Sequence, residues 1–279
     1  MTRRPSFPAR VEALASSSDA SKKIANNVHL TGAKAENGLK NTSQTATQAA
    51  PAVMPLRGPG DFQRARARLV ALIVQQGVQL PQVLQAIGAV ERHRFVDTAL
   101  VNQAYEDTSL PIGLGQTISK PGVVARMIEL LLGATQEGVA ADAPRLGRVL
   151  EIGTGCGYQA AVLSHVAREV YSIERLRGLH EKARANLRAF RLANVHLLLG
   201  DGMAGFPKGA PYAGIIAAAG GEAVPAAWVE QLAVGGRIVA PMGTGGGQQA
   251  LVVIDKTRHG VQQRVLEAVH FVPLKSGVV

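Results

Sequence analysis

The residues with the clearest chemical potential form the stretch RVLEIGTGCGY at positions 148–158. Its first half is apolar and predicts a strand over 148–152 that is covered on both faces. Three glycines at alternate positions then allow the backbone to turn sharply and approach a ligand closely, because no Cβ blocks the way. A helix beginning near Tyr158 would point its N-terminus at that turn. The pattern indicates a nucleotide-type site at the carboxyl end of a parallel strand.

The glycine spacing narrows the choice of nucleotide. A dinucleotide site requires G-x-G-x-x-G or G-x-G-x-x-A, whereas Tyr158 occupies the position of the third small residue. An acidic strand residue followed by G-x-G-x-G is instead typical of S-adenosylmethionine-dependent methyltransferases. An NAD or FAD site and a glycine turn without a ligand are the alternatives. The expected cofactor contacts at this turn are Glu151, Gly153, Thr154, Gly155, Cys156 and Gly157.

Cys156 is the only cysteine of the 279-residue chain. We expect it to be a small side chain that fits the turn rather than a nucleophile, because no histidine lies near it in sequence. A single cysteine cannot form an intramolecular disulfide, which suits a reducing compartment and a cytoplasmic location. No His, Cys, Asp and Glu cluster with metal-ligand spacing lies near the motifs, so no metal is expected.

Two acidic residues follow the next two predicted strands. Glu174 ends the second strand, where a carboxylate can accept hydrogen bonds from both ribose hydroxyls. Asp201 ends the third strand beside Gly202, where it could accept a hydrogen bond from an adenine edge. Glu174 could instead pair with Arg175 or Arg177, and Asp201 could simply form a turn with Gly202. Their joint placement after a glycine turn favours cofactor binding by Glu174, Asp201 and Gly202.

The elements that must position these residues alternate between strand and helix along the second half of the chain. This alternation predicts the α/β class, with a doubly wound, Rossmann-like sheet that carries helices on both faces. About seven strands are expected, at 148–152, 169–174, 195–199, 213–218, 236–241, 250–255 and 264–273. Helices are expected at 158–167, 175–192 and 225–232.

Two further helices are expected before the sheet. Asp61 is the expected N-cap of the first, whose apolar face would contain Leu69, Val70, Leu72, Ile73 and Val74 and which Gly77 would end. The second begins at Leu80-Pro81. The charged run at 92–94 is expected on a solvated face. The segment 105–121 is rich in glycine and proline but also apolar, so we expect a loop that packs against a ligand or the nucleotide site. A helix is expected over 123–132, with Ser119 as its N-cap.

Residues 1–60 are predicted to be a disordered, basic leader and linker, because they are polar and offer little apolar surface to bury. A transit peptide is the alternative. Residues 61–279 are expected to form a single methyltransferase domain, with a helical and substrate-loop part at 61–132 and the cofactor-binding sheet at 147–279. No apolar run of about 18 residues is present, so no membrane partner is expected.

The net charge of +10 raises the possibility of a nucleic-acid partner. Eight Lys/Arg and three Asp/Glu give residues 1–60 a charge of +5, and the remaining residues carry the other +5. The predicted domain is therefore only mildly basic. An aromatic content of 4% also disfavours a base-stacking surface. No stable nucleic-acid partner is expected.

The end of the fourth strand bears on the methyl acceptor. It runs into alanines and glycines, and it lacks the Asp/Asn-Pro-Pro-aromatic clamp that amide and adenine nitrogens need. A site without a general base suits an acceptor that is already anionic at neutral pH. A carboxylate, with a reference pKa of about 4, meets this condition. Catalysis would then depend mainly on proximity and orientation.

Four segments resemble the protein-L-isoaspartate O-methyltransferase family, namely 110–119 (LPIGLGQTIS), 149–158 (VLEIGTGCGY), 200–202 (GDG) and 271–274 (FVPL). The resemblance runs from about Asp61 to the C-terminus, and the first segment is the most specific because generic methyltransferases lack it. Two departures are present. Cys156 replaces a serine often found there, and Gly220-Gly221 replace part of a proline-containing segment, which predicts a more flexible loop.

The resemblance implies an S-adenosylmethionine-dependent enzyme that methylates the free α-carboxylate of L-isoaspartyl residues, with D-aspartyl residues as a second candidate. The ester would cyclise to a succinimide and so begin repair of damaged proteins, which are the expected partners of a monomeric enzyme. Ser119 is the implied active-site residue. Thr117, Ile118 and Ser119 would line the methionine end of the cofactor, and the substrate peptide would cross 110–115. The alternatives are an RNA or other protein methyltransferase and a non-catalytic cofactor-binding regulator.

Overall fold

The computed structural model describes residues 55–56, 58–133 and 146–279. The predicted leader therefore lies outside the described residues, apart from its last few positions, as does most of the connection after residue 133. Within the described part, no helix is both long enough and apolar enough to cross a membrane.

The described chain begins with two helices, α1 (Pro59–Gln75) and α2 (Pro81–Ala89). The predicted N-cap at Asp61 is wrong, since α1 begins at Pro59 after an extended Gly58. Proline has a fixed φ and no N–H, both of which suit a first helical position. The predicted apolar face is also too wide, because Leu72 and Val74 are exposed.

The charged run at 92–94 does not lie on one solvated face as predicted. It forms a 3-10 helix, Arg92–Phe95, which is followed by a second, Thr98–Gln103. Arg92 is completely buried. His93 stacks on Phe62 with the ring centroids 4.0 Å apart. Only Arg94 of the three is exposed, because a 3-10 turn directs successive side chains to different sides.

The segment predicted as a loop contains an antiparallel hairpin, β1 (Leu110–Gly113) and β2 (Gln116–Ile118). Leu110 pairs with Ile118 across it. The turn contains three residues of positive φ, Gly113 (94°), Leu114 (53°) and Gly115 (69°). The glycines adopt this conformation without steric cost, and they allow a tight reversal that the apolar pattern alone did not indicate.

Helix α3 (Pro121–Leu132) follows the hairpin, and the predicted N-cap at Ser119 is wrong. Pro121 takes the first helical position, so the cap falls on Lys120, and Ser119 lies one residue too early. The side chain of Ser119 is thereby left available for another role.

The central sheet has seven strands, β3 (Leu146–Ile152), β4 (Ala167–Glu174), β5 (Val195–Leu199), β6 (Tyr212–Ala217), β7 (Leu232–Gly245), β8 (Gln248–Thr257) and β9 (Gly260–Val269). Their order is β5-β4-β3-β6-β7-β8-β9. The first five in this order run parallel, and β8 and β9 are antiparallel additions. The remaining helices are α4 (Tyr158–Val166), α5 (Arg177–Arg188) and α6 (Ala226–Gln231). The predicted α/β sheet of about seven strands is confirmed.

Helices cover both faces of this sheet, as the alternation of buried residues along β3 shows. Val149 packs in the core that contains residues of α1 to α5. Its neighbour Leu150 packs in a second core with Trp228 of α6. Successive strand residues point to opposite faces, so a continuous apolar run is needed for a strand covered on both sides. Strand order reverses at β3, whose neighbours are β4 and β6. Ligands of open α/β sheets bind beside such a switch point.

Candidate active site

A cavity of about 440 Å³ lies at the carboxyl ends of β3 and β4. This volume falls within the usual range for small-molecule sites, roughly 300–1,000 Å³. Most of its lining comes from the glycine turn after β3 with the start of the following helix, the end of β4, the hairpin with its C-terminal flank, and residues 272–275. Val124, Leu179, Gly202, Ala218 and Ala219 complete the lining. The predicted residues that it brings together are Thr117, Ile118, Ser119, Gly153, Thr154, Gly155, Cys156, Glu174 and Gly202. Glu151, Gly157 and Asp201 do not line it.

The glycine turn has the backbone that its sequence predicts. Gly153, Gly155 and Gly157 have φ values of 88°, 58° and 92°, a backbone conformation that residues other than glycine rarely adopt. A Cβ on Gly155 would stand 3.3 Å from Ile112 Cδ1 of the hairpin. Gly157 is the N-cap of α4 and faces the helix–sheet core rather than the cavity. The turn therefore brings main chain, without side-chain bulk, to the cavity wall.

Glu174 is the acid that reaches the cavity. It is 5% exposed, and its two carboxylate oxygens accept hydrogen bonds from the N–H groups of Gly155 and Leu176, each at 2.9 Å. No ion pair joins it to Arg175 or Arg177 in the described residues. A carboxylate offers about four acceptor positions, so each oxygen retains one for a ligand hydroxyl. The bond to Leu176 also keeps the chain extended and delays α5 to Arg177.

Asp201 does not reach the cavity. It caps the short 3-10 helix Gly202–Ala204 by accepting from Met203 N at 2.9 Å, and its other oxygen accepts from Gly277 N at 2.7 Å. Its neighbour Gly202 does line the cavity, and a Cβ there would lie 2.6 Å from Ile152 Cγ2. The Asp201 carboxylate therefore holds the backbone segment in which Gly202 lines the cavity.

Glu151 lies beneath the turn and is fully buried. The Ser172 hydroxyl donates to it, and that hydroxyl also lies 2.6 Å from Thr154 Oγ1. Burial raises the pKa of Glu151 to about 8, because a desolvated carboxylate is unfavourable. Burial likewise raises the pKa of the Cys156 thiol to about 11. A thiol of that pKa is unreactive at neutral pH, which agrees with the packing role expected for Cys156.

Two residues of the cavity wall were missed in the sequence. Gln159 is 6% exposed and lines the cavity, and its amide lies beside the buried carboxyl of Glu151, whose ionised form it favours. The buried hydroxyl of Tyr158 has no hydrogen-bond partner among the described residues. Buried polar groups without partners are rare and call for an explanation such as a ligand. The available signal was a glutamine in the first turn of the otherwise mainly apolar helix α4.

The C-terminal segment closes the remaining side of the cavity. Gly220 N donates to Val272 O, and Leu274 N donates to Gly220 O, both at 2.8 Å. Further along, Arg175 Nε donates to Gly277 O at 3.0 Å. The loop at Gly220-Gly221, which the sequence predicted to be flexible, is thus pinned by hydrogen bonds. Glycine at 220 leaves room for the Gln249 amide, from which a Cβ would stand only 2.4 Å and which itself bonds the main chain of Phe271.

A second groove of about 340 Å³ adjoins the first cavity. Thr117, Ser119, Ala218 and Val272 line both spaces and so form a wall between them, in which only Thr117 and Ser119 have polar side chains. The groove is bounded further by Ser109, Lys120 and residues 268–272. None of residues 110–115, the predicted path of a substrate peptide, lines this groove. Three of them, including Ile112, face the first cavity instead.

Ser119 is half-buried at this wall. Its hydroxyl makes no hydrogen bond to any described residue, while its carbonyl accepts from Arg92 Nη1 at 3.0 Å. Among the residues placed by the structure, no group of three or more His, Cys, Asp or Glu is arranged to hold a metal ion. The groups available for chemistry at this wall are therefore the Ser119 hydroxyl and main-chain N–H and C=O groups, which can orient a reactant by hydrogen bonding.

Comparison with known proteins identifies the family. The model of the protein-L-isoaspartate(D-aspartate) O-methyltransferase family (PCMT) matches residues 64–279. The protein-L-isoaspartate O-methyltransferase of Ralstonia nicotianae is 57% identical over 244 residues, which are 85% of this chain and 75% of the relative. That of Methylibium petroleiphilum is 56% identical over 236 residues, or 84% and 86% of the two chains.

Solved structures agree with this assignment. A solved protein-L-isoaspartate O-methyltransferase structure superposes on this chain with a TM-score of 0.67 at 27% identity. The match covers 76% of this chain and 67% of the solved chain. A Plasmodium falciparum protein named for the same activity, in complex with S-adenosyl-L-homocysteine, shares the fold with a TM-score of 0.64 at 21% identity, over 75% and 98% of the two chains. These matches favour the isoaspartyl activity over an RNA substrate or a non-catalytic role. The chain belongs to the protein-L-isoaspartate O-methyltransferase family and is an S-adenosylmethionine-dependent enzyme that methylates isoaspartyl residues of proteins.

Proposed function

We propose that the larger cavity holds S-adenosylmethionine, that the adjoining groove admits the isoaspartyl segment of a damaged protein, and that methyl transfer occurs at the wall formed by Thr117 and Ser119. The observation that carries this proposal is that these two residues line both spaces. A donor and an acceptor bound on either side of one wall become effectively intramolecular, which contributes much of the rate enhancement in such reactions.

The cavity residues fit the cofactor. The free acceptor positions of Glu174 suit ribose hydroxyls, and the amide of Gln159, which lines the cavity, suits the charged methionine end. The backbone of the glycine turn and Gly202 would contact the nucleoside, with Asp201 acting indirectly through the cap that it forms. When bound, S-adenosylmethionine would supply a sulfonium methyl group, which an ionised oxygen accepts without proton transfer while neutral S-adenosylhomocysteine leaves.

The groove suits a carboxylate acceptor. The α-carboxylate of an isoaspartyl residue is ionised at neutral pH, so no general base is required. The Ser119 hydroxyl, which has no partner among the described residues, would donate to one carboxylate oxygen and orient the other toward the methyl group. Lys120 and His270 line the groove and no acidic residue does, which favours an anionic acceptor. The ester product would then cyclise to a succinimide.

Several wider features belong to the same proposal. Residues 61–279 act as one methyltransferase domain, and the chain works as a monomer, since one chain supplies both spaces. It acts in the cytoplasm, which suits its single cysteine. It takes no stable nucleic-acid partner, because the domain is only mildly basic. The D-aspartyl acceptor is a further candidate, since it too presents a free carboxylate.

The experiment is transfer of labelled methyl from S-adenosylmethionine to a peptide that contains isoaspartate, beside the same peptide with normal aspartate. Ser119→Ala should lower kcat about 10- to 100-fold, in line with loss of an orienting contact to a charged group. Thr98→Ala is the matched control, because this exposed hydroxyl residue lines neither the groove nor the cofactor cavity. Ser119→Ala with a kcat within twofold of the parent would overturn the role of Ser119.

A further inference from the structure

Arg92 is the most deeply buried cation of the described chain, with no exposed surface. Its Nε donates to Ala104 O at 2.8 Å, its Nη1 to Ser119 O at 3.0 Å and its Nη2 to Thr108 O at 3.0 Å. The guanidinium carbon lies 5.0 Å from the centroid of the Tyr158 ring. All three nitrogens and one face of the group are therefore occupied.

These partners connect the two halves of the site. Thr108 precedes the hairpin and Ser119 follows it, so a single planar group holds both of its ends. Tyr158 is the first residue of α4 and directly follows the last glycine of the cofactor turn. Arg92 thereby ties the hairpin, which carries the wall, to the turn, which carries the cofactor cavity.

The burial of Arg92 is costly and is not offset by a carboxylate partner. The nearby Asp107 is committed elsewhere, since it accepts from Gly122 N at 2.7 Å and from Gln76 Nε2 at 2.9 Å. Burial lowers the pKa of Arg92, yet a guanidinium remains protonated in proteins. Removing an ion from water costs several kcal/mol after relaxation. An apolar residue would fill the same volume without this desolvation cost. What arginine provides here, and an apolar residue cannot, is a planar group whose N–H donors reach three carbonyls.

We propose that Arg92 is a positioning residue for methyl transfer, which sets the distance between the Ser119 wall and the cofactor turn through its bonds to the two ends of the hairpin. It touches neither substrate in this arrangement and acts through the backbone of Ser119. The inference rests on the proposed role of the Ser119 segment. It assigns a function to Arg92, which lies 27 positions before Ser119 in the chain.

The test uses Arg92→Lys in the full chain. Lysine keeps the charge but cannot reproduce the planar fork that serves three carbonyls at once. We expect kcat for the isoaspartyl peptide to fall about 10- to 100-fold, because misplacement by about 1 Å can cost that much. The Kd for S-adenosylhomocysteine, measured by calorimetry, should change less than about threefold, because Glu174 and the glycine turn are retained.

A double variant separates positioning from general stability. If Arg92 acts through Ser119, its replacement in a Ser119→Ala background should lower kcat by much less than in the parent, since coupled residues are non-additive. Arg94→Met is the matched control, because it lies on the same turn, is exposed and pairs with Glu91 at 2.5 Å. It should leave kcat unchanged. Arg92→Gln, which removes the charge but keeps an amide donor, serves if the lysine variant does not fold.

The outcomes are distinct. A kcat for Arg92→Lys within twofold of the parent would overturn the proposal, as would fully multiplicative effects in the double variant. Failure of both Arg92 variants to fold would make the residue a stability element only and would also overturn it. Full activity of Ser119→Ala would instead refute the role proposed for Ser119.

Discussion

The glycine turn and the hairpin wall face each other across the same cavity, but they are held in place differently. The turn is anchored by its immediate surroundings in the parallel sheet, where Gly153 N donates to Ile173 O at 2.8 Å. The hairpin is anchored by two side chains from outside it. Arg92 binds its flanks, and Lys182 Nζ donates to Ile112 O at 2.8 Å.

The comparison teaches that cofactor binding and acceptor placement can be separated. The turn depends on backbone conformation and on strand pairing, which are local or sheet-determined. The hairpin depends on a few contacts that cross between elements, so its position is sensitive to single substitutions far from the chemistry. Changes in the turn should therefore act on cofactor affinity, and changes at the hairpin anchors on kcat or on KM for the peptide.

The largest effect is expected from Gly155→Val. The residue has a φ of 58°, and a Cβ there already stands 3.3 Å from Ile112 Cδ1, so a branched side chain is both strained and obstructed. We expect the Kd for S-adenosylmethionine to rise at least about 100-fold, as measured by calorimetry, with activity lost. Gly77→Ala is the control, because its φ is 99° but open space surrounds it. It should lower stability by about 1 kcal/mol and leave the Kd unchanged.

Glu174→Gln should have the next largest effect on the cofactor side. Glutamine has one acceptor oxygen, so the N–H of either Gly155 or Leu176 loses its partner and the ligand loses a charged acceptor. Hydrogen bonds to charged groups contribute about 1.5–3 kcal/mol, which corresponds to a 10- to 150-fold rise in cofactor Kd. Glu181→Gln, on the exposed side of α5, is the control. An unchanged Kd for Glu174→Gln would show that the acid only supports the turn.

Lys182→Met tests the second anchor of the hairpin. Its ammonium group is partly exposed and also pairs with Asp97 at 3.0 Å. Loss of these contacts should loosen the hairpin and raise KM for the isoaspartyl peptide about three- to tenfold, while cofactor Kd stays within twofold of the parent. Steady-state kinetics at saturating cofactor would measure this. A larger change in cofactor Kd than in peptide KM would contradict the separation of the two regions.

The smallest effect on activity is expected beneath the turn, where the predicted change is a pH dependence of stability. The pKa of Glu151 rises from 4.5 to about 8 on folding, so the folded state favours the protonated acid. Its contribution to stability is fully present below about pH 4.5 and is lost as pH rises through about 8. Glu151→Gln should flatten this part of the profile of Tm against pH, as seen by calorimetry without cofactor. A profile of unchanged slope would show that Glu151 ionises freely in the folded protein.

Much of the fold was predictable, because parallel strands covered on both faces require continuous apolar runs and the helices between them show clear breaks. The cofactor turn was predictable for a related reason, since only glycine readily adopts three left-handed conformations in five residues. The hairpin was not predicted. Its strands have four and three residues, too few for an alternating pattern to be distinguished from a loop.

The positions of Arg92, Asp201 and Gln159 have a common physical origin. The sequence around Arg92 is charged, and charged residues are mostly exposed, but its burial depends on carbonyls that lie 12, 16 and 27 residues away. The position of Asp201 outside the cavity depends on Gly277, a residue 76 positions later. Likewise, the place of Gln159 in the cavity wall is visible only once the cavity has formed.

The sequence by itself determined the α/β sheet, the glycine turn, the acid at the end of β4 and the family, because each depends on local conformation or on short motifs. The tertiary structure alone decided that Thr117 and Ser119 separate two spaces, that Asp201 stands behind Gly202, and that Arg92 lies beneath the hairpin. These are contacts between distant segments, which no local preference encodes. They arise when the packed sheet brings the ends of its strands and the turns that follow them to one edge.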